Sequence, residues 1–265
     1  MSNQMLKFLF TICVLLKISW SFVSTEENDP DDYDPEFAGG YPEGDLIPDS
    51  PSRNGYPNKK WPLNTVFYYF NGNFTDAQKE AVRAATKRLE SVSCVRFLEV
   101  NYLFYGKVCI TNDPTGCNAQ VGYQGTFCQN MNLGPKCFDN EFVMCHEWLH
   151  VLGFTHTHNA YNRDDIYYIH NFVKRNDSVD CLQPNKKDSV LTYKSTAFSK
   201  NGEDTLVPRD GDYTDMGQRY KLSTEDIAKL NSIYCYNNCT ATTNTTTSTS
   251  TTTTTTTTAA PPVKY

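Results

Sequence analysis

Three histidines in the run His-Glu-Trp-Leu-His-Val-Leu-Gly-Phe-Thr-His, residues 146–156, are spaced to hold a metal. His146 and His150 are four apart, so on a helix they share one face, one turn from each other. Gly153 tolerates the left-handed backbone that ends a helix, which lets His156 swing back toward the first two. Three neutral imidazoles with one open position is the layout of a catalytic zinc, not of a closed structural one. Glu147 lies beside that open position and can take a proton from bound water. H-E-x-x-H alone also fits a helix with core histidines. The added Gly and third His make the pattern specific. The other two of the five histidines, His158 and His170, match no ligand position. They read as surface residues or as residues that surround the ligands without binding metal.

The elements that must position this cluster follow from hydrophobic period and caps. Residues 140–152 read as the metal helix, with Phe142, Val143, Leu149 and Leu152 facing the core. Thr75 and Gln78 form a capping box ahead of a helix over 76–92, whose buried stripe is Val82, Ala85, Leu89 and Val92. TVFYYF at 65–70 is a strand by its β-branched and aromatic content, and 94–100, 107–112 and 122–133 read as further strands. Ser223 caps a last helix, with Ile227, Leu230 and Ile233 on its buried side. The order, strands and a helix, then the metal helix, then an irregular half, suggests two lobes with the metal in a cleft between them.

Composition bounds the setting. Lys7, the apolar run Phe8–Leu16 and the small residues Ser19 and Ser21 read as a secretion signal over 1–21, cut after Ser21. That run is too short to span a bilayer, and no later segment qualifies. A secreted, extracellular protein without a membrane span is expected. Of ten cysteines, Cys13 leaves with the signal, and an oxidising compartment would pair most of the remaining nine. A net charge of −6 offers no basic stripe for nucleic acid. Residues 22–53 are acidic and rich in Pro and Gly, and cannot build a core by themselves. Residues 54–239 form one globular domain. Residues 240–265 are a Thr-rich tail that reads as an O-glycosylated stalk or as a plain disordered one. Asn73, Asn176, Asn238 and Asn244 begin glycosylation sequons.

Beyond the zinc run, matches recur in order over residues 41–235. They include Trp61–Pro62, Gly116–Cys117 with Val121–Gly122, Asn159–Asp165, Phe198–Ser199, Gly217–Gln218–Arg219, Ser223 with Asp226, and Tyr234–Cys235. The chain resembles the astacins, a branch of the metzincin zinc endopeptidases. The resemblance implies an α+β, two-lobed, zincin-like fold with a twisted sheet and helices above and irregular chain below. It implies one zinc per subunit held by His146, His150 and His156, with Glu147 as general base. Tyr193 would swing toward the oxyanion. Cys94 would pair with Cys235 and Cys117 with Cys137, and the segment at Asn130–Leu133 would be the edge strand that aligns substrate. Protein or peptide substrates and a monomer are expected.

The chemistry is consistent with this. Zinc lowers the pKa of bound water to about 7 and polarises a carbonyl, a carboxylate shuttles the proton, and a phenol can donate to the oxyanion. An open strand edge can bind an extended peptide. Arg209 could favour acidic residues on the leaving side, or serve only as a surface charge. Glu43-Gly44-Asp45-Leu46 resembles the family's propeptide motif, with Pro42 where Phe is usual. By that resemblance Asp45 would sit on zinc as a zymogen switch over a 22–53 propeptide, with processing at Arg53.

Two residues depart from the family pattern. Leu191 stands where the family's turn under zinc carries Met, a swap that keeps volume and usually costs below about 1.5 kcal/mol. Thr157 stands where the family has a Glu that pairs with the new amino terminus. Cys109, Cys128, Cys145, Cys181 and Cys239 have no assigned pairing. The alternative function is a catalytically weak or inactive zinc-containing binding protein. Retention of Glu147 and Tyr193 speaks against it, because a decayed protease often loses its base first.

Overall fold

A computed structural model of the chain describes residues 34–41, 43–47, 59–160, 162–169, 172, 174 and 186–236. The signal segment, Arg53, His170, Cys181, Cys239, the sequons at Asn176, Asn238 and Asn244, and the Thr-rich tail lie outside the described residues. In chain order the elements are β1 (Leu46–Ile47), β2 (Thr65–Phe70), α1 (Asp76–Val92), β3 (Arg96–Glu99), β4 (Lys107–Thr111), β5 (Cys117–Gln120), β6 (Cys128–Leu133), α2 (Glu141–Val151), β7 (Tyr167–Ile169), β8 (Leu206–Pro208) and α3 (Thr224–Tyr234).

Alternation builds the upper lobe. Val66, Tyr68 and Phe70 of β2 are buried, while Phe67 and Tyr69 between them are only half-buried, the period of a strand with one face on a core. The capping box starts α1: Gln78 N–H donates to Thr75 Oγ1 at 3.2 Å, and Thr75 N–H donates to Gln78 Oε1 at 2.9 Å. Val82, Ala85 and Leu89 of α1 meet Val143, Trp148 and Leu149 of α2 in one core with the sheet. Truncating a buried residue such as Leu149 to Ala costs about 2–5 kcal/mol. The lower lobe is turns, the short β7–β8 ladder and α3. The fold is α+β and two-lobed. Among the described residues, no helix is long and apolar enough to cross a membrane.

The main sheet runs β1-β5-β6-β4-β2-β3, with β5 and β6 antiparallel and every other pair parallel. This corrects the expected edge strand. Asn130–Leu133 belongs to β6, which is paired on both sides by β4 and β5. The rim is β5, and β1, from the acidic leader, pairs along it. The sequence reading overlooked both strands. Cys-Asn-Ala-Gln has little β propensity, and a leader that builds no core of its own can still add to a ready-made edge. The strand expected from residue 122 starts only at Cys128, because Gly122 and Gly125 take left-handed φ of 71° and 65° and turn the chain. On α3 the buried residues include Leu230 and Tyr234, with Ile227 and Ile233 only half-buried.

Disulfides join Cys94 to Cys235, Cys109 to Cys128 and Cys117 to Cys137. The first closes a 141-residue separation between the residues just ahead of β3 and the C-cap of α3, worth about 5 kcal/mol by loop-closure entropy. The third ties the rim strand β5 to the turn ahead of α2. Cys145 is a free, buried thiol on α2.

Candidate metal centre

Helix α2 begins where Asn140 accepts Phe142 N–H at 2.8 Å, a side-chain N-cap. It carries His146, Glu147 and His150, all fully buried. Gly153 follows with φ 101° and turns the chain, so His156 returns to the same spot. The outer ring nitrogens are held by acceptors. His146 Nδ1 lies 2.7 Å from Val190 O, His150 Nδ1 2.8 Å from Phe154 O, and His156 Nδ1 3.2 Å from Glu43 Oε2. Carbonyls and carboxylates only accept, so each Nδ1 can donate to its partner, which in the neutral ring leaves the Nε2 lone pair for a cation.

Those lone pairs converge. His146 Nε2 is 2.8 Å from His150 Nε2 and 3.4 Å from His156 Nε2. Asp45 completes the group: its Oδ2 is 2.8 Å from His146 Nε2 and 3.6 Å from His150 Nε2, and its Oδ1 is 3.1 Å from His156 Nε2. One donor atom from each of the four residues lies within 4.8 Å of the others, and all four are buried. Ligands at about 2.0–2.1 Å on tetrahedral corners stand roughly 3.3–3.4 Å apart. Three imidazoles and a carboxylate at these separations therefore fit zinc, and a cation is what reconciles so many facing lone pairs.

The electrostatics agree. Burial pushes His146 and His150 down to about 4, which keeps them neutral. At His156 burial acts the same way, but Asp45 and Glu43 outweigh it and push the ring up to about 9. The field that draws a proton there also draws a metal cation. Burial would raise the pKa of Asp45, yet His156 and His150 hold it well below the usual carboxylate range. Glu147 is pushed well up by burial, then by the charges of Asp45 and Glu36. Both of its carboxyl oxygens are buried without a hydrogen-bond partner among the described residues.

The leader is fastened around this centre. Ala119 N–H donates to Asp45 O at 2.9 Å, which sets Asp45 on the rim of β5. Gly44 has φ 85°, and a Cβ there would meet Glu36 O at 2.7 Å, so only glycine fits. Tyr193 O–H donates to Glu43 O at 2.6 Å, and its ring lies 4.3 Å from that of His156. Buried Glu36 takes both arms of Arg219, with Nε–Oε1 at 2.7 Å and Nη2–Oε2 at 2.5 Å, a two-pronged pair.

The floor is the turn 189–193. Leu191, in the place of the expected Met, is 4% exposed and packs in the main core. Thr157 shares a 2.6 Å hydrogen bond with Thr192, so it bonds the turn where a Glu was expected to bond an amino terminus. Of the two places open to His158, the surface or beside the ligands, it takes the second: it is fully buried and its ring stacks on that of His156 at 5.0 Å. Arg209 is exposed. The arginine near the centre is instead Arg219, which sequence reasoning noted only within Gly217–Gln218–Arg219. Glu36 was missed altogether, because a lone acid in an acidic leader carries no pattern.

Known proteins resemble this chain in sequence and fold. The astacin peptidase family matches residues 53–235. Zinc metalloproteinase nas-14 of Caenorhabditis elegans is 37% identical over 197 residues, covering 68% of this chain and 38% of its own length. Seminal metalloprotease 1 of Drosophila melanogaster is 36% identical over 224 residues, covering 76% of this chain and 89% of its own. The chain thus spans well under half of the nematode relative and most of the fly one. Among solved structures, high choriolytic enzyme 1, a hatching enzyme zinc-protease from Oryzias latipes, superposes with TM-score 0.59 at 24% identity, covering 66% of this chain and 92% of that one. That likeness speaks for the fold alone.

Proposed function

Because the chain belongs to the astacin family of zinc peptidases, we propose that it is a secreted zinc-dependent endopeptidase kept latent by its own leader. The observation that carries this reading is the Asp45 carboxylate among the three imidazoles, 2.8 Å from His146 Nε2. His146, His150 and His156 would hold zinc, with Asp45 as a fourth ligand in the precursor. Zinc there supplies Lewis acidity, polarising a carbonyl and lowering the pKa of a water to about 7.

The remaining steps belong to this chain's own groups. Release of the leader opens the rim of β5, whose backbone can pair with an extended peptide. Release also removes Asp45 and Glu36, two of the charges that disfavour ionisation of Glu147. Glu147 then accepts a proton from the attacking water and returns it to the leaving amine. Tyr193, freed from Glu43 O, donates to the oxyanion. Arg219 loses Glu36 and becomes a cleft guanidinium, so we assign it a preference for an acidic residue in the substrate; the leader's Glu36 marks where that acid would bind.

Secretion is supported by the apolar amino-terminal run and by three disulfides among the described residues. Asn73, exposed ahead of α1, offers a glycosylation site. The test of latency is Asp45→Ala in the unprocessed secreted protein. The variant should cleave a quenched peptide before any processing, while wild type stays silent. Equal activity in both would remove the leader from the account.

A further inference from the structure

The three imidazoles differ in what lies behind them. His146 and His150 lean on backbone carbonyls of the catalytic domain, Val190 at 2.7 Å and Phe154 at 2.8 Å. His156 Nδ1 leans on a carboxylate, Glu43 Oε2 at 3.2 Å, which belongs to the leader. Among the described residues, His156 Nδ1 makes no other hydrogen bond. Glu43 itself is clamped. Asn159 Nδ2, from a fully buried side chain, donates to the same Oε2, and Tyr193 O–H donates to the Glu43 carbonyl at 2.6 Å.

We propose that Glu43 is a positioning residue for His156, so that the leader retains zinc in the precursor through Glu43 as well as blocking the site through Asp45. The inference rests on the zinc centre argued above. A carboxylate behind a ligating imidazole fixes its tautomer and ring orientation and raises its basicity, and losing such a partner costs about 10–100-fold in metal affinity. The carbonyls behind the other two histidines, of Val190 and Phe154, belong to the catalytic domain and are not removed with the leader. Only His156 has an outer partner that processing takes away, so the processed enzyme holds its metal less tightly than the precursor does. Asn159 and Tyr193, which grip Glu43, are then the residues left to rearrange around His156 once the leader is gone.

The experiment uses the full precursor, wild type and the variants Glu43→Gln and Glu43→Ala. Bound zinc is counted first, then its release to a chromophoric chelator is timed, with peptidase activity followed in parallel. Glu43→Ala should release zinc roughly 10–100-fold faster than wild type, with Glu43→Gln, which keeps a neutral acceptor, in between. Both variants should stay latent, because Asp45 is intact. Release at the wild-type rate in both would overturn the inference while leaving the zinc centre standing. Faster release seen only alongside new peptidase activity would also overturn it, since the leader would then simply have come away. A wild-type precursor that binds no zinc would overturn the metal centre itself, and this inference with it.

Discussion

The carbonyl of Val190 lies 2.7 Å from Nδ1 of His146, and the amide of the same Val190 donates to Asp226 Oδ2 at 2.9 Å. A carboxylate on the last helix therefore sets the orientation of a metal-facing histidine on another. Asp226 also accepts Ser189 O–H at 2.5 Å and Ser223 N–H at 3.0 Å, so one side chain both caps α3 and braces the turn 189–193.

Replacing Asp226 with Ala should therefore weaken two things together. It strands a buried hydroxyl and a buried amide and removes half of a capping box, a combined loss of about 3 kcal/mol. Urea denaturation of the precursor should show that loss, accompanied by reduced zinc occupancy. Full stability with full occupancy would mean the brace is incidental.

Arg219→Gln, in processed protein, should erase selection for acidic peptides. Wild type should favour a peptide with one Asp or Glu over its amide counterpart by roughly 10–100-fold, equivalent to about 1.4–2.8 kcal/mol. The variant should cleave both alike, while cleavage of neutral peptides stays near the wild-type rate. A retained acidic preference would place specificity elsewhere.

The leader should also sense pH through Asp34. Burial, then the charge of Glu36, push its pKa up to about 6, against the opposing pull of Arg219 and Lys194. A raised carboxyl pKa means the docked state holds the proton more firmly. Its stabilising contribution is full below the undocked value near 4 and is lost as pH rises through 6. The nearby Asp45 shifts the other way, well below 4, so its effect falls under this window. Between pH 4 and 6.5 the wild-type precursor should lose thermal stability relative to Asp34→Asn, which can still accept Glu36 N–H as Asp34 does at 3.0 Å. Parallel profiles for the two proteins would exclude Asp34 as the sensor.

What the sequence made legible was what repeats or is spaced. The strand Thr65–Phe70 and the helix Asp76–Val92 have the expected bounds, because alternation and a capping box are local signals. The spacing of His146, His150 and His156 carries its own geometry, since a helical turn and one glycine bring the rings together. The rest depends on partners far apart in the chain. Strand β5 has no propensity of its own and exists through pairing with β6. Glu36 meets Arg219 across 183 residues, and Asp226 meets Val190 across 36. Neither pair leaves a local trace. Of the leader's acids, Asp45 carried a family motif and Glu36 carried none, yet both are fully buried, because their charge is met by groups that fold against them.

The most direct test takes protein processed at the leader boundary and follows cleavage of a quenched peptide library with bound zinc counted. One zinc per chain, cleavage that a chelator abolishes and zinc restores, and a loss of about 100-fold or more in Glu147→Ala are the expected results. One zinc per chain with no cleavage of any peptide would contradict the account and leave a zinc-containing binding protein in its place.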